Sequence, residues 1–347
     1  MRQQTPNDRA IACEASSLDT GHPGVLSWVE VAGPRQIGIP RARQPRGTCQ
    51  ADRMTATQLL ELPDGRFLEV RVSGPPDGLP FIFHHGTPGA VTPFRALERA
   101  AHERALRLVT TSRPGYGNSS RRDGRNVVDV VADTQAVLVA IGAERCVVGG
   151  WSGGGPHALA CAARLDEATA VLLIASLAPH EADGLDWMAG MGKENLVEFG
   201  AAFRGAGQLR PYLEQVREHL KEVTPADIVA SLSSLLPDVD RAVLADEFGE
   251  DMASAFQVAL RIGVNGWLDD DLAFVKPWGF DLSEVSIPTI IWHGSADLMV
   301  PFAHGQWLSE RFAHASFHPE PEEGHLSIGL GNLDRMLDEL LEAHRSG

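Results

Sequence analysis

Three residues far apart in the chain have the side-chain types that acyl transfer requires. The first is Ser152, in Gly150-Trp151-Ser152-Gly153-Gly154, which follows the apolar run Cys146-Val147-Val148 and precedes Pro156-His157-Ala158-Leu159-Ala160. A serine at the turn between a buried strand and a helix sits in a sharp, strained bend. Small residues two before and two after it keep neighbouring backbone from colliding. The hydroxyl is thereby exposed at the sheet edge, over a helix N-terminus that favours developing negative charge. A glycine-rich phosphate cradle fails on detail. A dinucleotide site needs Gly-x-Gly-x-x-Gly after the first strand, and a P-loop needs Gly-Lys-Ser or Gly-Lys-Thr; neither occurs here.

A serine hydroxyl is a weak nucleophile until a base takes its proton. The chain has 13 histidines, so nearness in sequence cannot choose the base. His325 is the candidate, because Glu322-Glu323-Gly324-His325-Leu326 falls between the last strand and the last helix, where a loop presents it at the edge carrying Ser152. His314 and His318 lie before and on the preceding strand and read as structural, while His157 falls in the helix after Ser152 and His304 in the helix after Asp297. The base needs an orienting carboxylate. Asp297 lies just after the strand that starts at Pro288, with Pro301 placed to open the next helix. Glu181 and Asp183, after an earlier strand, are alternative acids.

Acyl transfer also needs donors for the tetrahedral oxyanion, and losing one costs on the order of 2.7–4 kcal/mol. The Gly153 N–H is one. The Thr87 N–H is the other, aimed by the turn in His84-His85-Gly86-Thr87-Pro88-Gly89, where His85 reads as a brace rather than a base.

Elements that would position these residues are visible as apolar runs. Strands are expected at 58–62, 67–72, 79–84, 106–111, 145–149, 169–175, 288–293 and 315–318. Between several of them lie helical faces, such as Val127, Val130, Val131, Thr134, Leu138 and Ile141, or Leu333, Met336, Leu337, Leu340 and Leu341. The alternation predicts an α/β fold with a largely parallel sheet covered on both faces. The first two strands, joined by Pro63-Asp64-Gly65, should form an antiparallel hairpin at one edge.

The alternation stops between residues 180 and 285, where helices are expected at 194–204, 208–223, 226–236 and 252–262. An insertion there lands where loops leave the carboxyl ends of the strands, so residues 180–285 read as a helical lid on a core of 56–179 and 286–347. Its aromatic residues, Trp187, Trp267, Trp278, Phe199, Phe203, Phe274 and Phe280, either wall an apolar pocket or pack the lid on the core. Asp269-Asp270-Asp271 lacks alternating ligand spacing and reads as a solvated helix start. Residues 1–55, rich in Arg, Gln, Pro and Gly, read as a poorly ordered N-terminal extension. A sharper expectation is that the native chain starts at Met54, just before the first convincing strand.

Composition sets the outer limits. Among 347 residues, 44% are hydrophobic and 22% charged, which is ordinary globular composition. A net charge of −16 argues against a nucleic-acid partner, because phosphate binding needs clustered Lys and Arg. Cys146 and Cys161 lie in core-like runs and Cys13 and Cys49 in the polar leader, so a reduced, cytoplasmic setting is expected. No stretch approaches the roughly 20 apolar residues of a membrane helix, and the N-terminus lacks a signal-peptide pattern.

Taken together, His85-Gly86-Thr87-Pro88-Gly89, Ser112-Arg113-Pro114-Gly115-Tyr116-Gly117-Asn118-Ser119, residues 150–154, the Asp297 loop and Gly324-His325 resemble the α/β-hydrolase fold superfamily. The match spans residues 58–344, in the lid-bearing group with esterases, proline iminopeptidases and cofactor-free haloperoxidases. The order Ser152, Asp297, His325 is the order of that superfamily. A serine where dehalogenases and epoxide hydrolases carry aspartate implies esterase chemistry, and the 113–119 turn is implied to be scaffold. Proline iminopeptidases typically read His-Gly-Gly-Pro-Gly at the first motif, and Thr87 departs from that. The resemblance implies a serine hydrolase acting on a partly apolar small-molecule ester, with no metal or organic cofactor. Other triad chemistry (aminopeptidase, carbon–carbon hydrolase or perhydrolase) and a non-enzymatic small-molecule receptor are the alternatives.

Overall fold

Strands in this chain are short because their apolar runs are short, and the central ones at Cys146–Trp151, Ala168–Ile174 and Thr289–Gly294 are buried on both sides. The computed structural model describes residues 28–30 and 57–346. The strands are β1 (Trp28–Glu30), β2 (Thr57–Glu61), β3 (Phe67–Ser73), β4 (Leu79–His84), β5 (Leu106–Thr111), β6 (Cys146–Trp151), β7 (Ala168–Ile174), β8 (Thr289–Gly294) and β9 (Ala315–Glu320). Among the described residues they form one sheet in the order β1-β2-β3-β5-β4-β6-β7-β8-β9. The pairs from β5 through β9 are parallel, and β1, β2 and β3 pair antiparallel at one edge. The predicted hairpin is therefore present. Beyond it, β1 pairs with β2 from within the 1–55 extension. The start-site expectation at Met54 lies outside the described residues.

Alternation along β7 shows how the sheet acquires two cores. Ala170, Leu172 and Ile174 point into one apolar cluster, Val171 and Leu173 into the other. The first cluster is covered by α1 (Arg95–Glu103) and later by the C-terminal helix; the second by α2 (Val130–Ile141) and α3 (Gly155–Arg164). Cys146 and Cys161 are buried in the second cluster, and burial pushes both thiols up, Cys161 to about 12.

Between β7 and β8 the chain makes α4 (Lys193–Ala202), α5 (Ala206–Leu220), α6 (Pro225–Ser231), α7 (Asp238–Val243), α8 (Glu247–Leu260) and α9 (Asn265–Phe274), with no strand among the described residues. The four expected helices correspond to α4, α5, α6 and α8. The helix α6 is short but well started: Thr224 accepts from the Asp227 N–H and Pro225 opens the first turn. The charged hexapeptide α7 has no counterpart among the expected helices, and the helix expected to start at Asp269-Asp270-Asp271 begins four residues earlier, at Asn265, as α9. After β8 come α10 (Ala303–Ser309), α11 (Ser327–Gly331) and α12 (Leu333–Ser346), the last burying Leu333, Met336, Leu337 and Leu340 as its spacing predicts. No helix among the described residues is long and apolar enough to cross a membrane.

Candidate active site

At the end of β6 the backbone turns at Ser152 into a left-handed conformation, φ +58°, directly after extended Trp151. A non-glycine residue there is strained, and the crowding around it explains the flanking glycines. A Cβ on Gly150 would strike the Gly154 carbonyl, and one on Gly154 would strike the carbonyl of His84. The helix α3 begins at Gly155 with Pro156 in its first turn. Ser152 thus stands at the carboxyl edge of the sheet, over that helix.

The same edge carries His325 and Asp297. The Nδ1–H of His325 donates to Asp297 Oδ2 at 2.7 Å. The second carboxylate oxygen, Oδ1, accepts the N–H groups of Met299 and Val300, each at 2.8 Å. His293 lies 3.5 Å from Asp297 Oδ2 and donates to the Val300 carbonyl at 2.7 Å, so it backs the Asp297 carboxylate from behind. Burial works to raise Asp297, but the His325 charge and the hydrogen bonds from His293 and His325 hold it well below the usual carboxylate range. For His325, burial favours the neutral ring, yet Asp297, with Asp240 behind it, raises it above its ordinary value. An ionised Asp297 keeps the proton on Nδ1 and leaves Nε2 as the basic nitrogen.

Two further residues hold His325, and neither was singled out in the sequence. Trp151 donates its Nε1–H to the His325 carbonyl at 3.1 Å and stacks on the imidazole. Asp240, from α7, accepts the backbone N–H groups of His325, Leu326 and Ser327. Trp151 stands at the variable site of the Ser152 motif, where its bulk was the available signal. Asp240 sits in an ordinary charged segment with no such signal.

The loop carrying Thr87 lies against Ser152. A Cβ on Gly86 would stand 3.4 Å from that of Ser152, and Gly153 packs against the Thr87 side chain and the Phe274 ring. The two candidate oxyanion donors, Thr87 and Gly153, therefore belong to adjoining segments. Arg113 braces the loop by donating to the carbonyls of His85 and Gly86 and to Thr87 Oγ1. His85 Nδ1 is 2.7 Å from the Gly86 carbonyl, in line with a bracing role.

Asp269, Asp270 and Asp271 overturn their reading as a solvated helix start: all three are buried within α9. Cations supplied from another part of the chain make this possible. Asp269 pairs with Arg121 at 2.8 Å, and Asp270 lies 2.7 Å from both Arg113 and Arg125 while also accepting from Tyr116 and Thr87. Burial alone would raise Asp270, but Arg113 and Arg125 hold it well below the usual range. The available signal was the matching run of arginines at 113, 121 and 125. Asp271 instead faces Glu198 of α4. Burial, then the Glu198 charge, pushes Asp271 well up, and burial also raises Glu198, so the two carboxyls retain a proton between them. Among the described residues no group of three or more His, Cys, Asp and Glu side chains is arranged to hold a metal ion.

Ser152, His325, Gly86, Thr87 and Gly153 line one cavity of about 240 Å³ under the helical insertion. Its walls are mostly apolar, with Phe94, Phe248, Met252 and Leu232 among them. Of the seven aromatics named from the sequence, Phe199, Trp267 and Phe274 line it, whereas Trp187 and Trp278 are buried elsewhere, Phe280 is half-buried against Trp278 and Phe203 is exposed. Polar and charged residues line it as well, Glu194, Asn195, Glu198, Tyr212, Asp251 and Asp271 among them, and Arg71 is paired there with Glu98. The alternative acids Glu181 and Asp183 are exposed, beside His180 and Trp307. His157 contacts the Gly153 carbonyl, His304 the Trp187 carbonyl and His318 Glu339, while His314 is exposed.

A family model described as alpha/beta hydrolase fold matches residues 80–331. The chain is similar to the AB hydrolase superfamily protein YisY of Bacillus subtilis, 23% identical over 251 residues, covering 72% of this chain and 85% of that one. It is 28% identical over 260 residues to a proline iminopeptidase of Neisseria meningitidis, covering 70% and 82%. Among solved structures, a thermophilic esterase from Thermogutta terrifontis superposes with a TM-score of 0.59 at 20% identity, covering 81% of this chain and 96% of that one. With the nine-stranded sheet and the match across most of its core, the chain belongs to the α/β-hydrolase fold family of hydrolytic enzymes.

Proposed function

We propose that the protein is a serine hydrolase that cleaves a partly apolar ester through an acyl-enzyme. The observation that carries this reading is the 2.7 Å bond from His325 to ionised Asp297, at a cavity that Ser152 also lines from a strained left-handed turn. In the cycle, His325 Nε2 takes the Ser152 proton as Oγ attacks the carbonyl carbon, and Asp297 stabilises the imidazolium. The N–H groups of Gly153 and Thr87 receive the oxyanion, in a wall whose apolar residues strengthen such contacts by excluding water. The imidazolium then protonates the leaving alkoxide, and water repeats the attack on the acyl group with His325 again as base. The helical insertion serves as the lid that shapes the acyl pocket.

Ser152→Ala tests this with short p-nitrophenyl esters. Loss of hydrolysis with the fold intact by circular dichroism is expected; turnover at the wild-type rate would eliminate the assignment.

A second reading has one observation in its favour. Apart from Glu198, neither Asp271 oxygen meets a hydrogen-bond partner, and burial, then the Glu198 charge, keeps the pair on the cavity wall from ionising fully. A substrate amino group would complete that pair, which suits an aminopeptidase such as the proline iminopeptidase relatives. Thr87 is committed to Asp270 and Arg113 in the loop where those enzymes typically have a second glycine, so ester cleavage stands first.

A further inference from the structure

Asp240 is fully buried, yet it belongs to the insertion and is 85 residues from the base whose backbone it holds. Its Oδ2 accepts the His325 N–H at 2.8 Å, and its Oδ1 accepts those of Leu326 and Ser327 at 2.9 Å each. These N–H groups lie at and just before the start of α11, where no carbonyl of that helix can reach them. Ser327 Oγ accepts the Gly324 N–H at 2.9 Å, which closes the turn from the other side. Gly324 makes the approach possible, because a Cβ there would collide with the Asp240 carboxyl. Charge-assisted bonds of this kind are about twice as strong as neutral ones and are costly to break when buried.

We infer that Asp240 is a positioning residue that fixes His325 against Ser152, so that the site is assembled only while α7 of the insertion is seated. The inference rests on the reading of His325 as the base. Ordinary capping would draw its carboxylate from the residues just before the helix; here it comes from the insertion, other segments of which line the substrate cavity. Catalysis and insertion docking are thereby coupled through the Asp240 carboxylate. A near-attack geometry tolerates little displacement, and an error of about 1 Å can cost about a hundredfold in rate.

The charged and titratable groups facing His325 are Asp297 from the loop after β8 and Asp240 from α7, with His293 behind Asp297. Removing the Asp240 charge removes one of two influences favouring the imidazolium. The acid limb of the pH–rate profile should therefore move to lower pH, whereas a residue that only packs the loop would leave it in place.

The experiment measures kcat and KM for p-nitrophenyl butyrate across about pH 5–9 in wild type, Asp240→Asn, Asp240→Ala and His325→Ala. Expected for Asp240→Asn is a fall in kcat of at least about tenfold, a KM within about threefold, and an acid limb shifted downward; Asp240→Ala should fall further. A folded Asp240→Asn enzyme with kcat within about threefold of wild type, or with an unmoved acid limb, would overturn the inference. Should the variants fail to fold, hydrogen exchange on wild type decides it. The amides of residues 325–327 should be protected to the level of α7, and free exchange at those amides would overturn the anchor. An inactive wild type, or retained activity in His325→Ala, would instead strike the proposed function, leaving the exchange measurement to judge Asp240 by itself.

Discussion

Trp151 and His325 are joined twice: the indole Nε1–H donates to the His325 carbonyl at 3.1 Å, and the rings stack with centroids 5.7 Å apart. Because Trp151 directly precedes Ser152, this contact ties the strand of the candidate nucleophile to the loop of the candidate base. Trp151→Phe keeps a ring against the imidazole and removes the donor. One hydrogen bond of about 1 kcal/mol corresponds to roughly a fivefold loss in kcat, readable with any chromogenic ester. Unchanged kcat would separate the indole from the positioning of His325.

Asp297→Asn leaves the shape of the acid and removes its charge. The amide can offer a donor to Nδ1, which favours the wrong tautomer and leaves Nε2 protonated. A loss in kcat of about 10⁴-fold is expected at neutral pH, with a normal circular dichroism spectrum. A variant within about tenfold of wild type would mean that another group orients the base.

The wild-type pH dependence follows from the direction of the His325 shift. The base works only as neutral imidazole, so activity rises with pH through its pKa. Burial opposes the imidazolium, but Asp297 and Asp240 together raise the pKa above its ordinary value of 6.5. The midpoint of the acid limb of kcat/KM should therefore lie above 6.5. A midpoint below that value would show that burial outweighs the carboxylates.

Asp270 balances two buried guanidinium groups, those of Arg113 and Arg125. Asp270→Asn leaves both uncompensated, and the expected loss is about 3–5 kcal/mol of unfolding free energy, measured in urea near neutral pH. Its carboxyl titrates lower in the folded state than in the unfolded chain, so its contribution is present above the unfolded value and is lost as pH falls through the folded one. The gap between variant and wild type should therefore narrow in acid. A constant gap would contradict the ionised assignment.

The carboxyl pair on the cavity wall separates the two functional readings. In the double variant Glu198→Gln, Asp271→Asn the pair loses its charge. Hydrolysis of a neutral ester should stay within about threefold of wild type, and that of an ester carrying a free amino group on its acyl side should fall at least about tenfold. Equal losses on both substrates would remove the pair from substrate recognition.

Much of this architecture was legible in the sequence because its signals are local. The strands are continuous apolar runs, and the bend at Ser152 announces itself through glycines that the backbone cannot do without. Asp297 and His325 follow strands that end at the same edge, so their loops could be placed without knowing any contact. What escaped depends on partners distant in the chain. Three consecutive aspartates look like a solvated face until Arg113, Arg121 and Arg125 are brought against them, and only folding does that. Asp240 is one acid in a charged six-residue helix, and its value lies wholly in three N–H groups that stand 85 to 87 residues further along the chain.

The central claim is that Ser152 carries the acyl group. The most direct test is to label the protein with a fluorophosphonate and map the adduct by peptide mass spectrometry, following loss of ester hydrolysis in the same samples. The account predicts a single adduct on Ser152, formed in step with inactivation and absent from Ser152→Ala. Inactivation with the adduct on another residue, or full activity in an enzyme fully labelled at Ser152, would contradict it.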